Sequence, residues 1–206
     1  MSEHLYTYLS PPNPKHLARI VEVLQHDGVI AMSAGPNWVF ASSPTSRRAT
    51  QRIRQLKPDH PDDRPFSLLC ADVAMASTMA TVDGATYKLL KRIWPGSYTV
   101  ILKSGRALPR LLATKRKAVG ARVPDDPLAM LIVGAWGGPL LISTVPLDAD
   151  GRHHTLGYEV FERYGHALDL VVDLGEPLDG TETTVIDVSG GELVLVREGA
   201  GDVSLL

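Results

Sequence analysis

The chain has 206 residues, of which 44% are hydrophobic and 21% are charged, and its formal net charge is −2. These fractions are typical of a globular domain and exclude disordered, collagen-like and coiled-coil classes. No apolar run reaches the length of a membrane span, about 20 residues. The first ten residues lack the basic and apolar blocks of an export signal, so we predict a cytoplasmic protein.

Helix and strand signals alternate along the chain without a repeat or a linker. Caps and apolar stripes predict helices over 14–26, 46–56 and 84–94, from 127 onward, and over 159–164. Short apolar runs predict strands over 29–32, 66–70, 98–102, 119–123, 140–144, 170–172, 183–188 and 193–197. Gly190 and Gly191 predict a hairpin between the last two strands. The pattern indicates a single mixed α/β domain over 1–206, built around a twisted sheet with flanking helices.

The charges are unevenly distributed. The segment 84–124 contains ten Lys or Arg residues and no Asp or Glu. Such an excess favours a surface that attracts an anion, either a nucleotide or a polynucleotide. A solvated basic face, balanced by acidic residues elsewhere, explains the same pattern, and charge alone leaves both interpretations open.

Common catalytic motifs are absent. The sequence contains neither of the two standard glycine-rich phosphate loops and no Gly-x-Ser-x-Gly turn. Cys70, the single cysteine, excludes an internal disulfide, and its strand-like neighbours predict a buried thiol rather than a nucleophile. His153 and His154 have no further ligand at metal-binding spacing, so we interpret them as loop residues and predict no metal site.

Four segments, taken together, resemble the YrdC-like family. They are Trp94–Leu102 ("PGxxTxIL"), Val119–Pro124 ("VGxRxP"), Thr183–Asp187 ("STVxD") and Val196–Ala200 ("xRxGA"), in family order and spacing. Arg52–Leu56 and Phe66–Cys70 extend the similarity upstream, which then covers about 14–205. The residues around Arg54 and Arg197 are closest to the YciO branch.

The resemblance implies a twisted open sheet with a concave basic surface that binds ATP and double-stranded RNA. Its best understood members make threonylcarbamoyl-AMP from L-threonine, bicarbonate and ATP, for modification of tRNA; bound Mg²⁺ is left open. It places Arg122, Ser143, Thr183 and Arg197 around the nucleotide phosphates, where cations and hydroxyls orient them. Asp187 is expected to hold a turn or a partner arginine. The exposed cations assigned to RNA are Lys88, Lys91, Arg92, Lys115, Arg116 and Lys117.

The departures from the family concern the amino-acid side of the site. Where active members have "YPTDTxYGLG", this chain has 32–41, in which the acidic and hydroxyl positions are Ala34, Gly35 and Pro36. A polar substrate that loses buried partners binds more weakly by about 1–3 kcal/mol per group. The first position of the "KxR" pair is Arg54, the expected catalytic residue, and the second is Leu56.

Two further features bear on these departures. Lys57 or Arg64 are candidates to replace the missing cation of the pair. The "TSAN" element becomes 143–146, which retains hydroxyls but loses the amide.

Three functional hypotheses follow. In the first, the chain binds a nucleotide, with double-stranded RNA as a further ligand, and makes little or no threonylcarbamoyl-AMP. In the second, synthesis continues in a rebuilt pocket, with Trp38 in place of the tyrosine and Arg54 in place of the lysine. In the third, the chain is a non-catalytic RNA-binding module. The sequence does not determine the oligomeric state.

Overall fold

The computed structural model describes residues 2–58, 61 and 64–206. Six α-helices lie in this part of the chain. They are α1 (Pro14–Gln25), α2 (Arg47–Leu56), α3 (Val73–Ser77), α4 (Gly84–Ile93), α5 (Pro127–Trp136) and α6 (Gly157–Tyr164). None of the described helices is long and apolar enough to cross a membrane.

Eleven strands of the described chain form one mixed sheet. They are β1 (Glu3–Tyr6), β2 (Ile30–Ser33), β3 (Trp38–Ser42), β4 (Ser67–Leu69), β5 (Ala80–Thr81), β6 (Tyr98–Ser104), β7 (Ala118–Arg122), β8 (Leu140–Thr144), β9 (Leu170–Asp173), β10 (Thr184–Asp187) and β11 (Val194–Arg197). The strand order is β1-β9-β2-β3-β8-β4-β7-β6-β10-β11, and β5 pairs with β6. The predicted fold class, a mixed sheet with flanking helices, is confirmed.

Local signals placed most of the elements correctly. The Asn13 side chain caps α1 and accepts from Lys15 N, and Ser46 caps α2 by accepting from Ala49 N. The predicted Gly190–Gly191 hairpin is confirmed, because β10 and β11 pair in antiparallel orientation. Each of these features is encoded by a few adjacent residues.

The local pattern did not predict β1, β3, β5 and α3. β3 is buried along its length and is held between β2 and β8, the second of which lies far away in the chain. β1 has no apolar alternation and joins the edge of the sheet through backbone pairing with β9. Long-range pairing rather than local propensity determines these two strands, so their own residues do not reveal them.

Two apolar cores cover the two faces of the sheet. The first joins Leu89 and Leu90 of α4 to alternate strand residues, including Val100 and Ala121, and extends to α2 and α6. The second joins α1 and α5 to the other face of β9, β2, β3, β8 and β4. That second core does not extend over β6, β7 and β10.

On the face of the sheet that the second core leaves uncovered, residues of neighbouring strands are paired with one another. Ser67, Gly120 and Ile101 are paired across β4, β7 and β6, and Thr99 pairs with Val185 of β10. Successive side chains alternate between the two faces of a strand. These residues therefore face away from the core that contains α4, and they form the floor of a cavity.

Candidate functional site

A cavity of about 830 Å³ opens above this floor. Its walls come from the end of α2, the segment before β4, the end of β8 and the turn before β10. The residues of the lining that carry a charge, together with one histidine, are Lys57, Arg64, Arg122, His153, Arg163, Glu182 and Arg197. Among the lining residues that the structure describes, Glu182 is the only carboxylate, so the cavity is strongly cationic.

Gly120 makes the floor of this cavity possible. A Cβ atom at this position would overlap Ser67 Oγ on the neighbouring strand. A glycine therefore allows β4 and β7 to pair closely while the Ser67 side chain remains in the cavity wall.

Arg122, the last residue of β7, is buried in the cavity floor. Only 4% of the residue is exposed, and its Nε and Nη2 atoms have no hydrogen-bond partner among the described residues. Burial lowers the pKa of Arg122 to about 10; the Asp126 carboxylate opposes this effect and the Arg197 charge adds to it. A buried guanidinium with unsatisfied donors is costly to the fold, and a bound anion compensates for that cost.

Arg197, at the end of β11, is held at the cavity wall by neighbouring groups. Its Nη2 and Nε atoms donate to the Thr183 carbonyl at 2.9 and 3.2 Å, and Nη1 lies 2.7 Å from Glu182 Oε1. The Thr183 hydroxyl lies 3.0 Å from that of Thr99 on the adjacent strand. A cation and two hydroxyls are therefore grouped at one side of the floor.

Lys57 is the residue that follows α2, and its side chain lines the cavity. Its Nζ donates to the Thr144 carbonyl at the end of β8, at 3.0 Å. Burial lowers the pKa of Lys57, the charges of Arg64 and Arg197 lower it further, and Glu182 opposes the change. The lysine thus shares the cavity wall with other cations.

The turn between β2 and β3 closes against Arg122. Gly35 has φ +79, and a Cβ there would lie 2.8 Å from Arg122 Nη2, so the backbone itself packs on the guanidinium. Gly35 N donates to Asp126 Oδ2 at 2.7 Å, and the Pro36 carbonyl accepts from Gly180 N at 2.9 Å. The turn presents no hydroxyl or carboxylate side chain at positions 34–36.

Comparison with known proteins identifies this architecture. Residues 22–199 match the profile of the Sua5/YciO/YrdC family, described as "Telomere recombination". The chain is 33% identical to "Uncharacterized protein YciO" of Escherichia coli K12 over 204 residues, covering 98% of each chain. The chain belongs to the Sua5/YciO/YrdC family.

Two further comparisons define its position in the family. The crystal structure of E. coli YciO superposes with a TM-score of 0.92, covering 100% of this chain and 99% of that one. Threonylcarbamoyl-AMP synthase of Pyrococcus abyssi is 26% identical over 152 residues, which are 73% of this chain and 44% of that protein. The similarity to YciO therefore spans the whole fold, whereas the synthase is more distant and longer.

The structure brings together the four residues that the family motifs assigned to phosphate. Arg122, Ser143, Thr183 and Arg197 all line the one cavity, although they come from β7, β8, the turn before β10, and β11. Their convergence depends on strand order, which places β7, β6, β10 and β11 side by side.

Arg54, the expected catalytic residue, does not line the cavity. It is exposed on α2, and its Cζ atom lies 4.9 Å from the centre of the Phe66 ring. Lys57 and Arg64 line the cavity instead. The physical reason is that the chain leaves the helix at Lys57, so the side chain after the helix, rather than one on its surface, turns inward. Trp38, the residue expected in place of the tyrosine, is buried and does not line the cavity; its Nε1 donates to the Thr155 carbonyl at 3.3 Å.

None of the six cations assigned to RNA lines the cavity. Lys88, Lys91 and Arg92 are exposed on α4, which packs on the face of the sheet opposite to the cavity floor. Lys115, Arg116 and Lys117 lie in the loop before β7, outside the cavity lining. Arg116 Nη2 lies 3.1 Å from Asp187 Oδ2, so Asp187 holds an arginine as expected.

Several cavity residues, Glu182 among them, were not found by sequence reasoning. His153 was interpreted as a loop residue; it is in a loop, yet it lines the cavity 4.0 Å from Glu182. Arg163 reaches the same cavity from α6. No family motif covers these positions, and the local pattern around them is that of an ordinary turn and an amphipathic helix.

Cys70 is the buried thiol that the sequence predicted. It is fully buried directly after β4, and burial, with a smaller contribution from the Asp72 charge, raises its pKa to about 12. A thiol in this state is protonated at neutral pH and does not act as a nucleophile.

Proposed function

We propose that this chain binds an adenine nucleotide in the cationic cavity and makes little or no threonylcarbamoyl-AMP. The observation that carries the proposal is Arg122: a buried guanidinium with two donor atoms unsatisfied by the described residues, in the floor of an otherwise cationic cavity. A phosphate in the cavity supplies the negative charge that this buried cation lacks.

The remaining lining suits the other parts of a nucleotide. Hydroxyls of Thr99, Ser143 and Thr183 are available to orient phosphate oxygens, next to Arg197. Apolar lining residues, among them Phe66, Ile101 and Leu147, offer a surface for a base. A cavity of about 830 Å³ has the size of a small-molecule ligand site.

The turn between β2 and β3 supports the second half of the proposal. Its backbone groups are occupied by Asp126 and Gly180, and residues 34–36 offer no polar side chain to an amino acid. A site without these partners discriminates poorly for a hydroxylated amino acid such as threonine. The more distant relatives are named as threonylcarbamoyl-AMP synthases, and the synthesis of that compound is the reaction to test here.

The exposed cations assigned to RNA lie outside the cavity that carries this proposal. α4 packs on the face of the sheet opposite to the cavity floor, so a ligand that fills the cavity does not need the cations of α4. RNA binding therefore remains the alternative that the nucleotide experiment distinguishes.

The experiment is a thermal-melt titration with ATP and AMP, performed on the wild-type chain and on Arg197→Met. We expect a saturable rise in melting temperature that the substitution removes. The matched control is Arg92→Met, an exposed arginine on α4, which should respond to ATP as the wild type does. A melting temperature that ATP does not change, together with salt-dependent binding of duplex RNA, would overturn the proposal.

A second assay tests the chemistry. ATP, L-threonine and bicarbonate are supplied together, and pyrophosphate release is measured beside an active family member. We expect release at or near background. Turnover comparable to that of the active member would show that synthesis survives the loss of the polar turn.

A further inference from the structure

Lys57 is in an unusual position for a lysine. Its ammonium group is in the cavity wall, where it donates to the Thr144 carbonyl at 3.0 Å. Arg64 and Arg197, which line the same cavity, act on it by repulsion. Among the described residues, the opposing charge on Lys57 is the carboxylate of Glu182, which lies 2.7 Å from Arg197 Nη1 and is therefore largely engaged.

Such surroundings favour any change that removes positive charge from Nζ. Burial and the two arginines lower the pKa of Lys57, which raises the fraction of neutral amine at a given pH. A neutral amine is the reactive form of lysine, as in other desolvated lysines near cationic groups. The cavity beside Nζ gives a small electrophile room to approach.

We propose that Lys57 is a carbamylation site, at which Nζ adds reversibly to carbon dioxide to form a carbamate. The ammonium first loses one proton, and the neutral amine then attacks the carbon of CO₂. A bond forms between Nζ and that carbon, one C–O π bond breaks, and the nitrogen loses a second proton to solvent. The net change is Lys-NH₃⁺ plus CO₂ giving Lys-NH-COO⁻ plus two protons.

The cavity stabilises the product better than the reactant. The side chain changes from one positive charge to one negative charge, so its repulsion with Arg64 and Arg197 becomes attraction. An anion at this position also occupies the region that a phosphate would enter under the proposed function. Carbamylation is therefore expected to compete with nucleotide binding and to make that binding sensitive to CO₂.

The test is labelling of the full chain with carbon-13 bicarbonate near neutral pH, followed by trapping with triethyloxonium and peptide mass spectrometry. We expect the ethoxycarbonyl adduct on Lys57 of the wild-type protein, and its loss in Lys57→Arg, which keeps the charge. The matched control is Lys88→Arg on α4, which should leave the Lys57 adduct unchanged. Because mass spectrometry of the wild-type protein itself identifies the modified residue, the result does not depend on how well the variant folds.

A second readout measures ATP affinity with and without bicarbonate at fixed pH and ionic strength. Affinity should fall with bicarbonate in the wild-type protein and stay constant in Lys57→Arg. Absence of the adduct from Lys57, or labelling of Lys88 to the same extent, would overturn the proposal. Neither outcome affects the ATP-induced rise in melting temperature, so failure of this inference is distinguishable from failure of the proposed function.

Discussion

Replacing Arg122 with methionine separates the effect of this side chain on folding stability from its role in binding ATP. The residue is 4% exposed, and Nε and Nη2 have no partner among the described residues. Methionine is an apolar, flexible side chain that carries no charge. We therefore expect Arg122→Met to be more stable than the wild type in the absence of ligand and to show no ATP-induced rise in melting temperature.

The magnitude follows from the pKa. Burial lowers the pKa of Arg122 from its ordinary value to about 10, and a change of one in a pKa corresponds to about 1.4 kcal/mol. The charged form therefore destabilises the fold by up to about 3 kcal/mol. For a chain of this size that corresponds to a melting temperature higher by up to about 10 °C in the variant.

The pH dependence gives the sign of the effect. The pKa of Arg122 is lower in the folded state, so both states are charged at pH values below about 10 and the penalty is nearly constant there. The stability gap between variant and wild type should thus be nearly equal at pH 7 and pH 9, as measured by calorimetry or by denaturant unfolding.

The matched control for this experiment is Arg116→Met, an exposed arginine next to Asp187, which should change neither the stability nor the ATP response appreciably. A variant at position 122 that is clearly less stable than the wild type would refute the reasoning, because Arg122 would then be satisfied by contacts within the fold. Retention of the full ATP response would show that the anion binds elsewhere.

Three other substitutions have defined outcomes. Gly35→Ala should lower the free energy of unfolding by roughly 1–2 kcal/mol, because φ is +79 and the new Cβ would lie 2.8 Å from Arg122 Nη2; an unchanged urea midpoint would contradict this. Glu182→Gln should release Arg197 and tighten ATP binding about fivefold, the equivalent of about 1 kcal/mol, while the partly exposed pair contributes little to stability; calorimetric titration showing weaker binding would count against it. Burial lowers the pKa of His153, so the folded protein holds this imidazole neutral without cost above pH 6.5. As the pH falls below 6.5 the unfolded chain binds the proton first, and the free energy of unfolding decreases. In His153→Gln this part of the acid-side loss should disappear, and a melting curve series over pH that matches the wild type would disprove it.

The amino-acid sequence determined the parts of this protein that depend on neighbouring residues. The Asn13 cap of the first helix, the apolar strand runs and the glycine hairpin were all predicted and are found. The family motifs also assigned Arg122 and Arg197 to one site, and both line the cavity. The cap, strand runs and hairpin each lie within a few residues, where steric and hydrogen-bonding preferences act directly.

Only the tertiary structure decided which side chains meet. Arg54 and Lys57 are three positions apart, yet only Lys57 lines the cavity, because the chain turns at the end of α2. Arg163 joins the site from a helix that no motif covers. Charge density along the chain grouped Arg92 with the other basic residues, but α4 packs on the opposite face of the sheet and separates Arg92 from the cavity. The register and order of strands distant in the chain set these outcomes, and no local pattern carries that information.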